Sequence, residues 1–135
     1  MSHFARNISL MFAAGCLGGL LNSLVVWFFG QAGIASALGV GISPALSASW
    51  LYPRIVWGGI WGLLFLINIR SRFRYEGLLY SLGPTMVQFF VIFPYKAGKG
   101  FFGIELGMLT PLLVLFYNAV WGASTELWLR WIKRR

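Results

Sequence analysis

Residues 7–53 read NISLMFAAGCLGGLLNSLVVWFFGQAGIASALGVGISPALSASWLYP, 47 positions without an Asp, Glu, Lys, Arg or His. Water does not solvate such a stretch, and a chain of 135 residues builds no soluble core large enough to hide it. The pattern repeats outward from there: 55–69, 77–95 and 106–125 are also free of charge. About 20 helical residues at 1.5 Å each cross a hydrocarbon layer of ~30 Å. The sequence therefore reads as an all-α integral membrane protein, one transmembrane helical domain over residues 1–135.

Composition agrees with that class. The chain is 59% hydrophobic and 10% charged, where soluble domains carry about 25% charged residues. Eleven basic residues face three acids, Glu76, Glu105 and Glu126, for a net charge of +8. In a soluble protein that excess would suggest nucleic acid. Here the basic residues flank apolar runs, so the expected partners are membrane lipids with anionic headgroups, and no nucleic acid. The single cysteine, Cys16, lies inside the first run and has no intramolecular disulfide partner. Ala13-Ala14-Gly15-Cys16 has the form of a lipoprotein cleavage box, yet Leu17 to Gly30 continues equally apolar, so a retained helix is expected.

Four transmembrane helices are expected, at about 8–30, 52–70, 76–94 and 105–128. Pro53 suits the first turn of the second, because its missing N–H is not needed there. Lys and Arg in short loops set orientation. With both termini cytoplasmic, the inner side holds Arg6, Arg70, Arg72, Arg74, Arg130, Lys133, Arg134 and Arg135, and the outer side Arg54, Lys96 and Lys99. Residues 34–51 are Ala-, Gly- and Ser-rich, with Gly39, Gly41 and Pro44 as breakers, and read as a re-entrant or interfacial segment after the first helix. A fifth crossing there would split the basic residues seven against four instead of eight against three. Compactness and the lack of an organelle signal point to a bacterial inner membrane.

Small residues recur at helical spacing. Gly15, Gly19 and Ser23 form one ridge of the first span, Ala14, Gly18 and Asn22 the next, and Gly58 and Gly62 mark the second span. Helices in lipid associate through such close backbone approach. Packing within the bundle is the expected use, with a homo-oligomer interface as the alternative.

The third span carries a polar stripe. Ser81, Thr85 and Gln88 fall on one face beside Gly83-Pro84, where Pro84 cannot donate to the Tyr80 carbonyl and should break the helix. Asn22 and Asn118 are the other amides in apolar spans, and Asn22, Gln88 and Asn118 converge if their helices share an axis. The stripe reads either as bonding between helices or as the wall of a small-solute site. Glu126 is expected to pair with Arg130 four residues on. Glu76 and Glu105 flank helix N-termini, where negative charge is favoured. Arg54 is expected to snorkel to the interface and, with Arg70, Arg72, Arg74, Arg130, Lys133, Arg134 and Arg135, to contact anionic lipid.

Catalytic residues, metal ligands and cofactors are not expected. The one histidine, His3, is in the N-terminal tail, and no spaced His/Cys/carboxylate set suits a metal. Two non-enzymatic classes remain. One is a small, oligomeric protein that binds or moves a neutral or lipidic substrate past the third-span stripe. The other is an accessory or assembly subunit docked on a larger membrane-protein partner. No family is identified. The embedded glutamate of small multidrug transporters is absent from the first span. Gly15-Cys16-Leu17-Gly18-Gly19 resembles the glycine-rich first span of small fluoride channels, but their Thr/Ser/Phe-rich break motif is missing.

Overall fold

The computed structural model of the protein describes residues 2–67 and 76–133. Of the described residues 83% are helical and none lies in a strand. Among the described residues three helices are long and apolar enough to cross a membrane: His3–Gln31, Glu76–Lys96 and Thr110–Ile132.

Helix α1 (His3–Gln31) begins at Ser2, whose hydroxyl accepts from the Ala5 amide at 3.1 Å, the cap that an N-terminus requires. It stops before Gly33, held at a φ of 83° that glycine adopts without a Cβ clash. A short α2 (Ile34–Ala37) follows, and residues 38–47 then run without regular helix. Their backbone is tied locally: the Val40 amide donates to Ala35 at 2.9 Å and the Gly41 amide to the Leu106 carbonyl at 2.8 Å. Ala35 and Val40 bury against Val26, Leu113 and Tyr117. The segment expected to be re-entrant or interfacial packs against α1 and the chain from Leu106 to Tyr117 at one end of the bundle.

Helix α3 (Ala48–Gly62) is capped by Ser47, whose hydroxyl accepts from the Trp50 amide at 3.3 Å. This corrects the expected start at Pro53. The helix begins five residues earlier and carries Pro53 in its interior, because Ser47 supplies the cap and nothing in 48–52 breaks a turn. Five further residues, Leu63–Ile67, continue as a 3₁₀ helix.

The third apolar segment is three stacked pieces: α4 (Glu76–Tyr80), α5 (Leu82–Val87) and a π-helical stretch, Gln88–Lys96. The interruption at Ser81 has the cause read from sequence, since Pro84 has no N–H for the Tyr80 carbonyl. Pro94 removes a second donor, and the Ala97 amide reaches back five residues to Ile92 at 2.7 Å. A 3₁₀ turn, Phe101–Leu106, places Phe102 against Phe89 and Phe90. Helix α6 (Thr110–Lys133) then starts five residues later than expected. Gly107, at φ 148°, ends the preceding turn, and Pro111 falls in the first turn of α6, where its missing N–H costs nothing.

Neighbouring helices run antiparallel. Gly15 meets Gly62 and Gly58, whereas Gly19 meets Gly58 and the Arg54 carbonyl. A Cβ on Gly58 would stand 2.7 Å from the Gly15 carbonyl oxygen and 2.9 Å from the Gly19 Cα. The second ridge of α1 faces α6, where a Cβ on Gly18 would stand 2.8 Å from the Trp121 carbonyl oxygen. A third crossing seats Gly77 of α4 on Gly122 of α6. Helix α6 therefore lies against both α1 and α4–α5, while α3 leans chiefly on α1. The start of α1 and the end of α6 share one end of the bundle.

Candidate functional site: a polar cleft

Because α3 rests on α1, a gap opens between α3 and the α5–π stretch. It is a cleft of about 320 Å³, with Asn22, Gln88, Asn118 and Arg54 among its walls. Pro53 and Trp57 form the α3 side, and Pro84, Ile92 and Lys96 the opposite side. Trp61 and Trp121 lie toward the inner end, where a Cβ on Gly83 would stand 3.0 Å from the Trp61 ring. A smaller adjoining chamber of about 140 Å³ shares Asn22, Arg54, Gln88 and Asn118, and adds Tyr117.

The polar groups are tied by a chain of hydrogen bonds. The Asn118 amide donates to Thr85 Oγ1 at 2.9 Å and to Gln88 Oε1 at 2.8 Å. Thr85 Oγ1, fully buried, itself donates to the Ser81 carbonyl at 2.7 Å. Ser81 Oγ donates to the Leu78 carbonyl at 2.7 Å, compensating locally for the broken helix ladder. Across the cleft, Asn22 Nδ2 donates to the Tyr117 carbonyl at 2.6 Å. The structure thus brings Asn22, Thr85, Gln88 and Asn118 together. Ser81 stands behind Thr85 rather than at the wall, and of the break residues Pro84 reaches the cleft while Gly83 packs on Trp61 and Leu64.

Arg54 departs from its expected place. Its Nε donates to Ser23 Oγ at 2.9 Å, its Nη2 to Asn22 Oδ1 at 2.8 Å, and its guanidinium lies 4.7 Å from the centre of the Trp50 ring. It turns into the bundle instead of snorkelling outward. The cause is the glycine seam: in an antiparallel pair, one turn onward from Gly19 to Ser23 matches one turn back from Gly58 to Arg54. The signal was present as a polar pair, Asn22-Ser23, one turn past a glycine ridge. It became legible only once the partner of that ridge was known.

Trp121 was also not singled out by sequence. Its Nε1 donates to the Gly15 carbonyl at 3.3 Å and the Gly58 carbonyl at 3.2 Å, fastening α6 to the α1–α3 seam. Arg130 pairs with Glu126, and Glu126 Oε1 also accepts from the Gly77 amide at 2.8 Å. Arg70, Arg72, Arg74, Arg134 and Arg135 lie outside the described residues, as does the side chain of Lys133.

Fold and site together define a helical bundle, with helices compatible with membrane insertion, enclosing a cleft walled by amides and one inward guanidinium. No family model matches the chain, and comparisons with curated proteins and with solved structures find no match.

Proposed function

We propose that the protein is a non-catalytic integral membrane protein that binds, and as a homo-oligomer moves, a small neutral or lipidic molecule held in the cleft between α3 and the third helix. The observation carrying this reading is the cleft itself: Asn22, Arg54, Gln88 and Asn118 present polar groups to about 320 Å³ of space between helices that are otherwise apolar. Polar side chains in membrane spans are costly unless paired or used, and here they converge on an opening. The cleft offers amides, a guanidinium and an ammonium, with no nucleophile beside a base.

The proposal includes four spans. Helix α3 has 15 residues and its 3₁₀ continuation five. At 1.5 and 2.0 Å per residue these reach about 32 Å, enough for a hydrocarbon core of ~30 Å. Both termini are placed on the cytoplasmic side of a bacterial-type inner membrane by the excess of Arg and Lys there, and residues 34–47 lie at the outer surface. Glycine ridges free to dock elsewhere would have favoured either an accessory-subunit or a homo-oligomer interface along them. Those ridges are consumed within the chain.

Native mass spectrometry on gently extracted protein tests the binding reading. Wild type is expected to carry a reproducible lipid or small molecule that Asn118→Leu with Gln88→Leu loses while remaining folded. An unchanged complement in that double variant would remove the cleft from consideration. A stoichiometric complex with a different protein, and no ligand, would restore the accessory reading.

A further inference from the structure

The chain has three acids, and none neutralises Arg54. Glu126 is engaged with Arg130 and the Gly77 amide near the other end of the bundle, Glu76 begins α4 at that same end, and Glu105 is exposed in the turn before α6. Among the described residues the Arg54 guanidinium has only neutral partners: Ser23 Oγ, Asn22 Oδ1 and the Trp50 ring. These orient the fork but do not cancel its charge, and an uncancelled cation in a low-dielectric bundle is retained where an anion is its partner.

A further observation indicates what that anion is. Lys96, exposed at the same cleft, adds a second positive charge, and no carboxylate lines the wall. A guanidinium fork and an ammonium together suit a tetrahedral oxyanion with several acceptor oxygens. Trp57 and Ile92 give the cleft apolar wall on its two sides, against which an attached acyl chain would lie.

We propose that Arg54 is the counter-charge for the phosphate group of an anionic lipid, admitted laterally between α3 and the π-helical stretch and steadied at the mouth by Lys96. Asn22 and Ser23 are positioning residues, fixing two guanidinium nitrogens so that Nη1 remains for the phosphate. The inference rests on the cleft being a ligand site and adds the chemistry of its ligand.

The test uses full-length protein in nanodiscs of zwitterionic phosphatidylcholine, doped in separate arms with phosphatidylglycerol or with diacylglycerol, which lacks phosphate. Bound lipid is read by native mass spectrometry for wild type, Arg54→Gln, Arg54→Lys and Lys96→Gln, with inorganic phosphate as a competitor. Wild type is expected to retain phosphatidylglycerol over diacylglycerol by about tenfold, the worth of one charge-assisted pair. Arg54→Gln should abolish that preference, Arg54→Lys keep part of it, and the exposed Lys96→Gln reduce it without disturbing packing. Equal retention of both lipids by wild type would overturn the phosphate assignment and leave the cleft a ligand site. No retained lipid in any arm would sink both readings. Inorganic phosphate binding without lipid preference would keep the anion and remove the lipid as its source. Should Arg54→Gln fail to fold, Lys96→Gln decides: an unaltered preference there overturns the role of the mouth.

Discussion

Glu126 shows how much one side chain settles. It is 6% exposed, pairs with Arg130 through one carboxylate oxygen and accepts the Gly77 amide at 2.8 Å through the other. Removing the acceptor from a buried amide costs about 1–3 kcal/mol. Glu126→Ala is therefore expected to melt well below wild type in detergent, and Glu126→Gln, which retains a carbonyl oxygen, in between. Identical melting of the two variants would mean that the Gly77 amide gains nothing from residue 126. Half of this was legible in the sequence. Spacing of four along a helix announces Arg130, but Gly77 is 49 positions away. It becomes a neighbour only because Gly77 and Gly122 let two backbones touch. Arg54 follows the same logic: its residue type was plain, its direction depended on a register that one chain position does not encode.

Among the elements, the α1–α3 seam was the most readable, because the period of an α-helix turns glycines four apart into a ridge. Its energetics follow from geometry. A methyl group on Gly58 would meet backbone atoms of Gly15 and Gly19 at 2.7 and 2.9 Å, and backbone cannot swing aside as a side chain does. Overpacking of this kind costs about 1–3 kcal/mol. Gly58→Ala is expected to lower thermal stability by that amount. Gly41→Ala, whose Cβ would have its nearest neighbour at 3.5 Å, should leave it unchanged. Comparable losses in both would show that the seam is not the tight contact described. The third helix was less legible. Pro84 and Pro94 tell which donors are missing, not how the chain re-pairs, and the π-helical stretch of Gln88–Lys96 is one of several solutions. Gln88, at the junction of α5 and that stretch, bonds Asn118, so the least predictable element borders the site.

For the molecule as a whole, charge-free runs reveal the helices, and Lys and Arg counts give an orientation that can be checked directly. In a Cys16→Ala background, Lys99→Cys is expected to react with a membrane-impermeant maleimide on intact cells, and His3→Cys only after permeabilisation. The reverse pattern would invert the topology, and labelling of both from outside would show an odd number of crossings. The cleft was not legible at this scale. It exists because α3 leans on α1 and leaves the third helix to α6, a choice of partners made by three separate glycine contacts. That choice also bears on how the protein is made. Helix α6 follows the other described helices in sequence, yet it supplies Trp121 to the α1–α3 seam, Asn118 to Thr85 and Gln88, and Glu126 to Gly77. Until α6 is made, those groups are without these partners. Closure of the cleft is thereby left to α6, and a chain cut before Thr110 would keep its polar interior open.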